Sequence, residues 1–196
     1  MSHNPYLTSW QKRAFDLVVV ILLSPILLLL LLLVVVLYAC SSIDTWVYKQ
    51  QREGLGGQPF VLYKFKTLNN PTQNNRAAMV KNDGTVIPGI GDFMRRWRFD
   101  EIPQIWNIIK GDMSWVGPRP EQWELAQEFA NQNPQYAKRN SAKPGIAGLA
   151  QVYNPNATVD EYNEKLQHDL KYLMKASLFL DIRVLIASIW VVLKGN

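Results

Sequence analysis

The chain has 196 residues, enough for one domain with a real hydrophobic core. Its hydrophobic residues (48%) are unevenly placed, and a net charge of +5 suits anionic lipid, nucleic acid or a phosphorylated small substrate. The single cysteine, Cys40, excludes an intramolecular disulfide and a cysteine-rich zinc site, and it fits a reducing compartment.

Residues 1–11 are polar, with Tyr6 and Trp10 suited to a membrane interface. Lys12 and Arg13 follow, and by the positive-inside rule they hold this end in the cytoplasm. From Leu17 to Ala39 the chain is almost wholly apolar. As helix it would measure about 34 Å, enough to cross a hydrocarbon core of about 30 Å. The run is too long, and lacks the small-residue site, for a cleaved signal peptide. Ser24-Pro25 interrupts it, because proline removes one helical hydrogen bond and clashes with the preceding turn. Lys49 and Arg52 beyond the run leave neither flank clearly outside. A kinked helix that spans the bilayer is one reading of this run, but it would place the rest of the chain outside, away from nucleotide-activated substrates. A helix-break-helix that dips into one leaflet and returns satisfies both observations, with the Ser24 hydroxyl a candidate partner for freed backbone groups.

Ser41 to Thr67 reads as a β-hairpin. Trp46–Tyr48 form one strand, Gly54–Gly57 the turn, and Phe60–Phe65 the other strand, from which Lys64 and Lys66 project on one face. Asn69 to Gly89 is polar and reads as a surface loop. Phe93 to Phe99 reads as a short helix carrying Arg95, Arg96 and Arg98.

Adjacent carboxylates then follow at Asp100 and Glu101. Such a pair can divide labour, one acting as nucleophile or metal ligand and the other as acid/base or orienting group. The plain alternative is an N-cap and a first-turn acid, since Pro103 suits a helix start. Ile102, Ile105, Trp106, Ile108 and Ile109 give that helix an apolar face, and Gly111 ends it. Asp112–Val116 leads into Gly117-Pro118-Arg119-Pro120. Arg95, Arg96, Arg98 and Arg119 offer planar forks that suit phosphate oxygens.

Glu121 to Ala130 is a plausible amphipathic helix, and Tyr136–Arg139 adds a turn or two. Lys143-Pro144-Gly145-Ile146-Ala147-Gly148 reads as a tight turn that allows close backbone approach and brings the Lys143 charge to phosphate. Val159 to Lys175 reads as a helix opened by a capping box of Thr158 and Glu161. Ser177 to Lys194 is strongly apolar but interrupted by Asp181 and Arg183, and it reads as a helix lying on the membrane face. No Walker loop, dinucleotide fingerprint, repeat or nucleic-acid-binding pattern is present, and His3 and His168 carry no catalytic or metal role.

The block RFDEIPQIWNIIKGDMSWVGPRP resembles the (S)LDELPQ…NVLKGDMSxVGPRP block of the bacterial sugar transferases, the monotopic phosphoglycosyl transferases. KRAFDLVVVILLSPILLLL resembles the family's membrane-entry segment, REGLGGQPFVLYKFKTL its RxGxxGxxFxxYKFRTM hairpin, and KPGIAGLAQV its RPGITGWAQV loop. The blocks run in the family's order from Lys12 to about Asp181, which makes the resemblance specific.

The resemblance implies an α+β, mostly helical fold. A re-entrant membrane segment over residues 1–40, broken at Ser24 and Pro25, would precede a cytoplasmic, membrane-associated sugar transferase domain over residues 41–196. It implies transfer of sugar-1-phosphate from a UDP-sugar to polyprenyl phosphate at the cytoplasmic face of the bacterial inner membrane, with release of UMP. Asp100 would be the nucleophile and Mg²⁺ ligand, and Glu101 the orienting or proton-transferring acid. Lys64, Arg95 and Arg119 would organise phosphate charge. Asp169 matches the aspartate of the family's xxDxxY segment. The expected partners are the two substrates, one leaflet of the bilayer, a second copy of the chain and downstream glycosyltransferases. Nucleic acid is not expected. Tyr153-Asn154-Pro155 stands where the family has Asn-Gly-Arg, so a phosphate-holding arginine is missing, with Lys143 and Arg139 the candidates to replace it. A non-catalytic, basic membrane adaptor is the alternative reading. A multi-spanning transferase is disfavoured by the single N-terminal apolar stretch.

Overall fold

The computed structural model describes residues 4–41, 45–68, 86–87, 89–155 and 161–194. The expected loop over Asn69–Gly89 and the Thr158 cap fall almost wholly outside these residues.

Helix α1 covers Trp10–Ala39, capped by the Ser9 side chain, which accepts from the Lys12 N–H. The helix runs on through Pro25, where the sequence suggests a break between two helices. The physical reason is local. Proline has no N–H to give the carbonyl four residues back, Ile21, and the Ser24 hydroxyl donates to that oxygen instead, at 2.8 Å. The two ends of α1 are buried while its middle is not: Lys12, Asp16, Val34 and Tyr38 are enclosed, and Ile21, Leu22, Ile26, Leu28 and Leu29 are exposed.

Both buried ends meet the same body. At one end Asp16 accepts from the Ser114 hydroxyl and the Trp115 N–H. Lys12 Nζ pairs with Asp181 Oδ2 at 2.6 Å, and Asp181 also accepts from the hydroxyls of Tyr6 and Tyr172. At the other end Val34 and Tyr38 pack with Phe65 and Met94, and the Tyr38 hydroxyl donates to the Lys66 carbonyl. Lys12 and Arg13 are therefore used inside the protein, Arg13 donating to the carbonyls of Ile108 and Ile109. They do not stand as a free basic flank.

Strands β1 (Val47–Glu53) and β2 (Pro59–Phe65) form the expected antiparallel hairpin, Gln50 facing Leu62. Helix α2 (Ile90–Arg96) and a 3₁₀ turn, Phe99–Glu101, lead to α3 (Gln104–Lys110), which Gly111 ends with φ at 91°. The apolar face expected of α3 divides. Ile108 is buried beside the polar Gln104 and Asn107, while Trp106 and Ile109 point outward. Asn107 explains the reversal: its Nδ2 donates to the Val61 carbonyl and its Oδ1 accepts from the Tyr63 N–H, stitching α3 to β2.

Strand β3 (Ser114–Val116) pairs in parallel with β4 (Gly145–Ala147). Residues 143–148, expected as a tight turn, thus contain a strand. The close approach they allow is to the protein's own backbone: a Cβ on Gly145 would lie 2.1 Å from the Gly117 nitrogen. Helices α4 (Trp123–Gln132), α5 (Leu149–Tyr153), α6 (Tyr162–Lys175) and α7 (Leu178–Leu193) complete the fold, α7 packing on the β3–β4 pair, α5 on α6 and α7, and α4 on β1. The main core gathers Ile108, Met113, Val116, Phe129, Leu166 and Val184. Along α7, Asp181 and Val184 face inward, and Phe179, Ile182, Ile186, Ile189 and Trp190 form an exposed apolar stripe.

Candidate active site

Three segments converge on the acid pair. Strand β2 brings Lys64, held in register by Asn107. The reversal between α2 and α3 brings Arg98, Asp100 and Glu101, and the chain after β3 brings Arg119. Arg98 makes that reversal in the left-handed region, with φ 57° and ψ 21°. The cap position of α3 is occupied by Pro103, so Asp100 is not its N-cap.

Glu101 is the hub. Its Oε1 accepts from Arg119 Nη2 at 2.7 Å and from Lys64 Nζ at 3.1 Å, and Arg98 Nη1 lies 3.8 Å away. Asp100 stands beside this cluster, its Oδ2 at 4.0 Å from Lys64, beyond hydrogen-bonding distance. Burial alone would raise the Glu101 pKa. Arg119, Lys64 and Arg98 together outweigh burial and hold this carboxyl well below the usual range. Burial wins at Asp100, raising its pKa against the pull of Lys64, with the Glu101 charge adding to the rise. Burial likewise lowers the Lys64 ammonium, opposed by Glu101. Two neighbouring carboxyls are thus driven apart, one locked as an anion and one poised.

The backbone of Arg119 is set from behind. Arg139 donates to the Arg119 carbonyl, to Asp169 and to the Tyr136 hydroxyl, and it is almost fully enclosed. Asp169 therefore joins the site through Arg139 rather than by direct approach. With its guanidinium so committed, Arg139 is not placed to replace the missing arginine. Arg52 lies on the same side and donates to the Pro120 carbonyl at 3.1 Å. Burial lowers its pKa to about 10, with Glu121 opposing and Arg119 adding to the shift.

The other expected residues lie elsewhere. Lys143 sits by Gly111 and Arg13, at the end of α3 away from the acid pair. Arg95 is half-buried in the last turn of α2, and it is Arg98 that reaches Glu101. Arg98 and Arg139, which the sequence offered only as phosphate-binding candidates, carry much of the geometry together with Asn107, which the sequence did not mark. The only local signal for Asn107 was a polar residue inside an apolar helix.

No cluster of three or more metal-ligating side chains occurs among the described residues. Asp100 offers one carboxylate that is not hydrogen-bonded to the neighbouring Lys64. That fits Mg²⁺, which typically takes one or two carboxylates and completes its shell with substrate phosphates and water.

The sequence pattern described as "Bacterial sugar transferase" matches residues 7–195. The chain is 35% identical over 150 residues to UDP-N-acetylgalactosamine-undecaprenyl-phosphate N-acetylgalactosaminephosphotransferase of Aeromonas hydrophila, covering 76% of this chain and 36% of that protein. It is 36% identical over 146 residues to UDP-glucose:undecaprenyl-phosphate glucose-1-phosphate transferase of Xanthomonas campestris pv. campestris, covering 72% and 30%. It is 34% identical over 142 residues to the uncharacterized sugar transferase EpsL of Bacillus subtilis, covering 72% and 67%. The chain thus spans about a third of the length of the first two relatives.

Proposed function

Because the chain belongs to the bacterial sugar transferase family, we propose that it moves a sugar-1-phosphate from a UDP-sugar to polyprenyl phosphate. The observation that carries this reading is the acid pair itself. Glu101 is locked by three cations while Asp100 stands free of hydrogen bonds to them. The names of the relatives supply the substrate class.

Asp100 is the nucleophile. Its carboxylate forms a bond to the β-phosphorus of the UDP-sugar, the bond from that phosphorus to the bridging oxygen breaks, and UMP leaves with the bridging oxygen. A phosphate oxygen of polyprenyl phosphate then attacks the same phosphorus, and the Asp100 carboxylate departs. Lys64 and Arg119 bind phosphate oxygens and, through their hydrogen bonds to Glu101, stay fixed while charge moves. Asp100 would hold Mg²⁺, which when bound neutralises diphosphate charge.

The reaction joins a water-soluble substrate to one anchored in lipid, so the site must lie at headgroup depth. The exposed apolar middle of α1, both of whose ends pack on the protein body, and the apolar stripe of α7 support seating on a membrane face. A nucleotide-linked donor favours the cytoplasmic face of the inner membrane, with α1 as a dipping anchor. The test is UMP release from a panel of UDP-sugars with polyprenyl phosphate and Mg²⁺, with and without EDTA. Release that is lost in Asp100→Asn and Glu101→Gln, both still membrane-bound, is expected. No release from any UDP-sugar would favour the adaptor reading.

A further inference from the structure

We propose that Arg98 is a phosphate-binding residue of this site, set by its left-handed backbone with guanidinium N–H donors that are not hydrogen-bonded to any described residue and are placed for an anionic substrate oxygen. The inference rests on reading the site as one that takes a nucleotide diphosphate sugar, and the resemblance assigns no role to Arg98.

Arg98 is the only non-glycine residue with positive φ among the described residues. Glycine would make the same chain reversal without strain, so the turn by itself does not call for a long cationic side chain. Nor does Glu101. Its Oε1 already accepts from Arg119 at 2.7 Å and Lys64 at 3.1 Å, and Arg98 Nη1 stands off at 3.8 Å, too far for a hydrogen bond. A half-exposed ion pair of this kind contributes little to the fold.

The charges point to a ligand. Lys64, Arg98 and Arg119 face two carboxyls, Asp100 and Glu101, so the cluster keeps a surplus of positive charge. The Arg98 side chain is 35% exposed, against 20% for Lys64 and 33% for Arg119, and is the one of the three not hydrogen-bonded to Glu101. A guanidinium fork held this way suits two oxygens of a phosphate. It supplies a contact on the α2 side of the site, where Arg95 does not reach Glu101.

The experiment compares the purified full chain in lipid nanodiscs with Arg98→Gly and Arg98→Lys. Calorimetry reads UDP binding, UMP release reads KM and kcat, and thermal unfolding reads the fold. Arg98→Gly is expected to weaken UDP binding and raise KM for the UDP-sugar about tenfold, with an unfolding temperature equal to or above that of the parent because the strain is gone. Arg98→Lys is expected to recover only part of the affinity. Binding of UDP by Arg98→Gly within about twofold of the parent would overturn the assignment. A parent that binds UDP yet releases no UMP would sink the proposed reaction while leaving the Arg98 comparison decisive. A parent that binds no UDP would overturn both.

Discussion

Arg139 Nη2 donates to the carbonyl oxygen of Arg119 at 2.6 Å, and the same nitrogen lies 2.8 Å from Asp169 Oδ2. A carboxylate on α6 thereby fixes the backbone of a residue whose guanidinium reaches Glu101. The site is held from two layers: cations in front, and a buried arginine-aspartate pair behind them.

Asp169→Asn should act through this relay. Leaving Arg139 buried without its counter-charge should cost about 3 kcal/mol of stability, and turnover of the folded fraction should fall about tenfold as Arg119 loosens. Asp181→Asn, which unpairs Lys12 elsewhere in the core, is the control. It should lose similar stability without the same loss of turnover per folded molecule. Equal losses would mean that Asp169 supports only the fold.

The pH profile should show the divergence of the two acids. Asp100 attacks only as the carboxylate, so activity is present above its pKa and lost as pH falls through it. Burial raises that pKa, so the acid limb should lie above the ordinary aspartate value of about 4. Glu101, held low, remains ionised throughout. Lys64→Met removes the first cation opposing the rise and should carry the limb to higher pH. A limb unmoved in that variant would count against Asp100 as the titrating group.

Two glycine substitutions should differ sharply. Gly145→Ala would put a Cβ 2.1 Å from the Gly117 nitrogen and force β3 and β4 apart, costing about 3 kcal/mol. Gly56→Ala has open space and pays only for φ of 66°, about 1 kcal/mol. Thermal unfolding of the pair measures the difference, and similar values would mean that the parallel pairing is not tightly packed.

Membrane topology can be read from labelling. In a Cys40→Ser background, cysteines introduced at the exposed positions Gln11 and Ser141 should both react with an impermeant maleimide from the cytoplasmic face. Labelling from opposite faces would reject the dipping anchor.

Much of this was legible locally. The apolar run of α1, the alternating strands of the hairpin, the Gly111 stop and the acid pair each depend on neighbours a few residues away, so composition and period reveal them. The Ser24–Ile21 contact belongs to the same class, one turn of helix closing over its own proline.

Partners distant along the chain are another matter. Whether Arg95 or Arg98 reaches Glu101 depends on a left-handed residue between two helices, a conformation that arginine does not advertise. The parallel register of Ser114 with Gly145 made a strand of what reads as a turn. The inward face of α3 was chosen by Asn107 finding β2, and Lys12 and Arg13 were drawn from the membrane flank by Asp181 and by carbonyls of α3. Short-range periodicity wrote the elements and the chemical groups into the chain. Which charge meets which was decided in the folded state, because a buried ion or amide must be satisfied by whatever long-range neighbour the packing delivers.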